Sequence, residues 1–213
     1  MDEHLSLRHH IEYITYKMAR SLFSINQLKK TLPKSCLMSL YKSLVHPHIN
    51  YGIQIWGNAK ATYLNKIIRH QKRAMRIVNN ASYNSHTEPV FKSNGILKVK
   101  DCFEHQVIIF MYDYQHNNLP NSFNNMFTLN SGICKTTQVT RQSNMFHIPV
   151  GRNNFSNLLP RTNYPKIWNR WHNDVHNIAS KKALKKHVKN IMLSRYSKHI
   201  TCDVAHCSSC NSL

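Results

Sequence analysis

Five cations recur at helical spacing between residues 62 and 79: Lys66, Arg69, Lys72, Arg73 and Arg76. Steps of three and four put Lys66, Arg69, Arg73 and Arg76 on one face of a helix with Lys72 beside them. Leu64, Ile67, Ile68, Gln71, Met75 and Val78 form a second stripe that faces a core. No Asp or Glu stands three or four residues from any of the five, so the like charges repel one another unless an external anion neutralises them. A phosphate backbone is such an anion, and Lys and Arg grip it without reading bases. The plain alternative is the solvated face of a bundle helix. Tyr63 and His70 lie close enough in sequence to add stacking or hydrogen bonding, or to be ordinary packing residues. Lys182, Lys185 and Lys186 on a later helix, and Arg141 in an irregular stretch, are further candidate phosphate contacts.

A second pattern has the chemistry of a metal site. Cys202, Cys207 and Cys210 stand as Cys-x4-Cys-x2-Cys, with His199 or His206 in reach as a fourth ligand. Tetrahedral zinc takes four thiolate or imidazole ligands, and a Cys-x2-Cys pair has suitable reach. Cys202, His206, Cys207 and Cys210 are therefore a candidate zinc set, with an unliganded tail as the alternative. No other cofactor is expected. Cys36, Cys102 and Cys134 are scattered singly, which is not a secreted disulfide framework, and all six thiols are expected to be reduced.

The whole chain shares the charge bias. Its 213 residues carry 29 Lys plus Arg against 9 Asp plus Glu, a formal net charge of +20. No acid falls between Glu12 and Glu88, nor between Asp113 and Asp174, although a solvated surface normally mixes both signs. A codon bias toward Lys and Asn accounts for surplus cations but not for missing acids. RNA, DNA or their hybrid is the expected partner, ahead of an anionic membrane. No run approaches the ~18 apolar residues of a membrane helix, and MDEHLSLRHH lacks the apolar centre of a signal peptide. An intracellular protein of nucleus or cytoplasm is expected.

The elements that must position these groups read as a mainly α-helical bundle with an irregular basic segment and a short Cys-containing tail. Leu7, Ile11, Ile14, Met18, Leu22, Ile25 and Leu28 mark one face of a first helix, which Pro33 ends. A second starts near Lys34 with Leu37, Leu40, Tyr41, Leu44 and Val45 inward, and His46-Pro47 interrupts it. The segment NYGIQIWG leads to a turn at Gly57-Asn58, and the basic helix follows. Ser85 and Glu88 have capping-box spacing and predict a short helix through Phe91-Lys92, stopped at Asn94-Gly95. Residues 99–116 are apolar on more than one side and predict the most buried helix. Residues 128–164 lack periodicity. Helix resumes at Pro165, and Ser180 caps a last one with Leu184, Val188, Ile191 and Met192 inward. The expected divisions are 1–127, 128–164, 165–198 and 199–213.

The order LYKSLVHPHINYGIQIWGN, IIRHQKRAMRIV, SHTEPVFKSNGILKVKDCFEHQVIIFMYDY, Thr140-Arg141, PKIWN resembles the region after the polymerase core in jockey-like and chicken-repeat-like non-LTR retrotransposons. No one of these segments is diagnostic; their order and spacing carry the resemblance, which covers nearly the whole chain. It implies that residues 40–56 form helices following the palm, that QKRAMRIV is a basic thumb-like helix, and that PKIWN lies near the end of the parent protein. Asp2, Leu7 and His10-Ile11 match a family stretch just after the last palm strands, with Leu7 where tryptophan is usual. By that register Met1 falls inside the family's polymerase, and the frame is expected to be a truncated element, a gene cut at an exon edge, or a host-retained fragment.

The family activity needs clustered carboxylates that hold two divalent cations, including adjacent aspartates. This sequence has no Asp-Asp pair; its only adjacent acids are Asp2-Glu3. Neither a nucleophile elbow nor a glycine-rich phosphate cradle is present. The expectation is a non-catalytic fragment that grips template, primer or their hybrid, alongside the missing palm. Two rivals stand beside it: a host-retained helical interaction module whose charge is residual, and a decayed fragment without a task.

Overall fold

A computed structural model describes residues 7–132, 143–151, 156–175 and 178–196. Among these residues the chain is mainly helical and has no β-strand, only an isolated antiparallel bridge between Leu129 and Phe146. The helices are α1 (Arg8–Leu28), α2 (Lys34–Leu44), α3 (His46–Asn50), α4 (Ile53–Trp56), α5 (Ala61–Val78), α6 (Glu88–Ser93), α7 (Val99–Gln115), α8 (Pro160–Val175) and α9 (Lys181–Arg195). They divide between two compact units. One contains the described residues of Met1–Phe103 and Lys189–Leu213, and the other those of Glu104–Val188. Helices α7 and α9 each begin in one unit and end in the other.

In the first unit α1 packs chiefly on α5. Its Ile11, Ile14, Met18, Leu22 and Ile25 repeat every three or four residues, and all five are buried. From α5 come Leu64, Ile67, Ala74, Met75, Ile77 and Val78, each also buried. Removing such aliphatic side chains from water contributes roughly 1.5–3 kcal/mol apiece, more than the propensity of either helix alone. Tyr41, Ile49, Ile53, Trp56 and Phe91 complete this core. The Trp56 indole N–H donates to the Tyr51 carbonyl at 2.8 Å. Gly52, at φ +60°, allows α3 to turn directly into α4, and Gly95, at φ +61°, follows the end of α6 as Asn94-Gly95 predicts. Gly57 is fixed by space rather than by φ, since a Cβ there would stand 2.5 Å from the Phe103 ring.

The second unit is built on aromatic contacts. Phe110 meets Phe123 and Tyr164 edge-on at centroid distances of 5.4 and 5.5 Å, and Tyr114 meets Phe127 at 4.9 Å. The Tyr114 hydroxyl donates to the Phe127 carbonyl at 2.8 Å and accepts its N–H at 3.1 Å. Asn169 brackets Phe146 in the same way, accepting its N–H at 3.0 Å and donating to its carbonyl at 2.7 Å. These side-chain clasps hold irregular backbone that has no ladder of its own.

Several local expectations are corrected. Leu44 is exposed rather than inward, and Leu40 and Ile191 are only half-buried, because the buried row of α2 runs through Leu37 and Tyr41 to Val45 and that of α9 through Leu184, Val188 and Met192. His46-Pro47 interrupts α2 but also starts α3, since proline is tolerated in a first helical turn. The capping box does not form. Helix α6 begins at Glu88 with no side-chain cap; the Ser85 hydroxyl meets that of Ser82 at 2.6 Å, and Glu88 pairs with Lys98. Helix α8 starts at Pro160 instead of Pro165, because Pro160 suits a first helical position and the buried face of Tyr164, Ile167, Trp168 and Trp171 outweighs the hydrogen bond that Pro165 cannot donate. Helix α7 is as buried as its composition predicts: between Val99 and Tyr114 only Lys100 is exposed.

Candidate nucleic-acid interface

Helix α5 is held in place by a buried amide. Gln71, inside the apolar stripe, donates to the Leu97 carbonyl at 2.9 Å and to the Tyr41 hydroxyl at 3.3 Å, and its Oε1 accepts the Val99 N–H at 3.0 Å. The amide thus ties α5 to α2 and to the backbone at the start of α7. Burial raises the Tyr41 phenol pKa well above its ordinary value, and the Gln71 hydrogen bond opposes that shift. With Gln71 pointing inward, a rotation of about 100° per residue places the five cations within an outward arc of about 120°.

These cations are not equivalent. Lys66 reaches Glu12 on α1 at 3.6 Å, and Glu12 also accepts from Arg8 at 3.1 Å. The acid absent from the sequence neighbourhood of α5 therefore arrives from 54 residues away. Both partners are exposed, so the pair contributes little to stability. The Arg8 hydrogen bond, helped by the weaker charges of Arg8, Lys66 and His9, holds the Glu12 carboxyl below its ordinary value against the opposing effect of burial. Arg76 is half-buried, and its Nε donates to the Ser85 carbonyl at 2.9 Å, which fastens the loop after α5. Arg69 and Arg73 are exposed and Lys72 is half-buried; none makes an ion pair or hydrogen bond among the described residues. Burial, then the neighbouring Arg73, lowers the pKa of His70, which keeps its imidazole neutral at pH 7.

Lys182, Lys185 and Lys186 are exposed on the part of α9 that belongs to the second unit. There Lys181 pairs with Asp113 at 2.6 Å, and His105 Nε2 donates to the Lys185 carbonyl at 3.1 Å. Arg141 lies outside the described residues, as do Cys202, His206, Cys207 and Cys210. Among the described residues no group of three or more His, Cys, Asp or Glu is placed to hold a metal ion, and no helix is long and apolar enough to cross a membrane.

Sequence reasoning missed the groups flanking Lys72. An open concavity of about 510 Å³ in the first unit is lined by Ile68, Lys72, Lys98, Lys100, Asp101 and Tyr196 among others. The Tyr196 hydroxyl donates to Asp101 and accepts the Lys98 N–H at 3.0 Å. The Lys98 ammonium lies 4.3 Å from the Tyr196 ring centroid and pairs with Glu88. Burial raises the Asp101 pKa, and the Tyr196 hydrogen bond opposes it. The Lys98-x-Lys100 spacing was visible, but its proximity to α5 was not, because chain reversals at Asn79 and Gly95 intervene.

No protein-family profile and no solved structure matches the chain. Two curated proteins do. Over 105 residues the chain is 30% identical to the RNA-directed DNA polymerase from mobile element jockey of Drosophila melanogaster, a match covering 47% of this chain. The corresponding polymerase of Drosophila funebris is 28% identical over 104 residues, again 47% of the chain. The chain carries a region related to non-LTR retrotransposon reverse transcriptases. The similarity spans 11% of the length of each relative.

Proposed function

We propose that this chain is a nucleic-acid-gripping part of a retrotransposon RNA-directed DNA polymerase, with the outer face of α5 contacting the phosphates of template RNA, primer strand or their hybrid. One observation carries the reading: Arg69, Lys72 and Arg73 project from a buried, amide-locked helix and make no ion pair with any described residue. Unneutralised cations at three- and four-residue spacing repel one another, and phosphate relieves that repulsion. The lysines at 182, 185 and 186 offer a second basic surface on the other unit. Contacts of this kind hold a strand in place and tolerate any sequence. The chain itself contributes no catalytic carboxylate pair; metal-dependent nucleotide addition belongs to a palm with which this part cooperates, in the nucleus or cytoplasm.

The test is binding of the purified chain to several unrelated single-stranded RNAs and RNA–DNA hybrids at two salt concentrations, with primer extension run in parallel. The expected result is similar affinity for every sequence, a loss of more than about tenfold between ~50 and ~200 mM salt, and no nucleotide incorporation. Salt-independent binding would refute phosphate gripping, and extension by a polymerase-free preparation would refute the assignment of chemistry to another domain.

A further inference from the structure

Opposite the buried row of α1 lies a solvent-exposed face. Tyr13, Tyr16 and Phe23 stand on it at 57%, 59% and 66% exposure. Three large rings in water on one helix are not a core, and each interleaves with a cation: the Lys17 ammonium lies 5.3 Å from the Tyr13 centroid, and the Arg20 guanidinium 5.8 Å from that of Tyr16. Spacings of three, four and three place Tyr13, Tyr16, Arg20 and Phe23 along a single stripe about 15 Å long. Beside that stripe, α1 reaches one cation of the basic face of α5. Lys66 of α5 meets Glu12, and Tyr16 and Phe23 follow Glu12 at four and eleven residues, in the same row of the helix surface. No acid falls between Glu12 and Glu88, so the combined surface is rich in rings and cations and poor in carboxylates.

We propose that the outer face of α1 is a stacking platform for the unpaired bases of single-stranded nucleic acid, whose phosphates run along α5. The inference rests on the phosphate-contact reading of α5 and narrows its ligand: a duplex hides its base faces, whereas a single strand offers them to Tyr and Phe rings. A stripe of this length accommodates about four stacked bases. The rings discriminate poorly among the four bases, so this platform adds affinity without sequence preference. A protein face is a poorer fit here, because docking to one would strip water from Lys17 and Arg20 without the counter-charge that phosphate supplies.

The experiment compares a single-stranded DNA long enough to span α1 with its abasic counterpart, which keeps every phosphate and lacks the rings. The intact chain is expected to prefer the base-bearing strand by about tenfold or more, at an equal salt slope. The variant Tyr13→Ala/Tyr16→Ala/Phe23→Ala is expected to lose that preference while binding the abasic strand and duplex as before. Tyr13→Trp/Tyr16→Trp/Phe23→Trp is expected to restore it. All three positions are exposed, and matching helicity by circular dichroism checks that the fold persists. Equal binding of base-bearing and abasic strands by the intact chain, or an alanine variant that keeps the preference, overturns the platform while leaving the phosphate reading of α5 standing. Absence of all nucleic-acid binding overturns both.

Discussion

Replacing Arg69, Lys72 and Arg73 together by Gln removes the three α5 cations that lack a partner among the described residues, and leaves Lys66 with Glu12 and Arg76 with the Ser85 carbonyl. Gln is close to Arg and Lys in helix propensity, and relief of repulsion between positions three and four apart offsets the small difference, so stability should change by less than about 1 kcal/mol. The effect on binding is larger. Each phosphate contact on a single strand contributes about 0.7 to the slope of log affinity against log salt, and on a duplex about 0.9. Three lost contacts flatten the slope by roughly 2–3, so across a fourfold rise in salt the intact chain should lose about 20- to 40-fold more affinity than the variant. Fluorescence anisotropy with a labelled RNA at five or so salt concentrations measures this directly. A slope unchanged within about half a unit, with helicity preserved, would refute phosphate contact by α5 and shift attention to Lys182, Lys185 and Lys186. Arg76→Gln is the internal control: it should cost about 1–3 kcal/mol of stability through the lost charged hydrogen bond to Ser85, with a much smaller change in slope.

Tyr196→Phe should destabilise the first unit by about 1–3 kcal/mol, because the Lys98 N–H and the Asp101 carboxylate both lose a hydroxyl partner; urea denaturation reads the loss, and a further rise of the Asp101 pKa by carboxyl NMR reads its cause. Gln71→Leu keeps the volume but leaves the Val99 N–H without its acceptor and the Leu97 carbonyl with only the weak Cys102 thiol donor, and an unfolding free energy lowered by about 1–3 kcal/mol is expected, whereas a neutral outcome would remove the lock on α5. Burial lowers the pKa of both His46 and His70, so the unfolded chain binds more protons as pH falls below about 6.5; stability should be full above that value and decline beneath it, a slope that His46→Gln/His70→Gln should flatten in urea titrations between pH 5 and 7.5. Gly57→Ala should destabilise by about 1–3 kcal/mol despite an ordinary helical φ, because the new methyl collides with the Phe103 ring.

What could be read from the sequence follows from how local each signal is. The period of α5 separates Ile67 from Arg69 without any knowledge of a fold, and the structure buries the first and exposes the second. The same rule marked Ile11, Ile14, Met18, Leu22 and Ile25 on α1. It judged those helices by the residues that had to be hidden, and so passed over Tyr13, Tyr16 and Phe23 on the opposite side. Capping failed as a signal because Ser85 and Glu88 each had a stronger alternative: a second hydroxyl at Ser82 and an ammonium at Lys98. No spacing rule brings Lys98 to Glu88 across the intervening Gly95 turn.

Sequence neighbours show that α5 has no acid of its own, which is true, but electrostatics acts through space, and Glu12 reaches Lys66 from another helix. Together with the Arg76–Ser85 hydrogen bond, that contact divides the five cations by role. Lys66 joins two helices and Arg76 fastens a loop, which leaves Arg69, Lys72 and Arg73 as the charges whose positions no described partner explains. A cation engaged by its own fold has part of its field already neutralised, so it adds less to the attraction of a polyanion than one left to solvent. The mutational burden of the binding hypothesis therefore falls on three residues rather than five, and a variant that includes Arg76 would confuse a loosened loop with a lost phosphate.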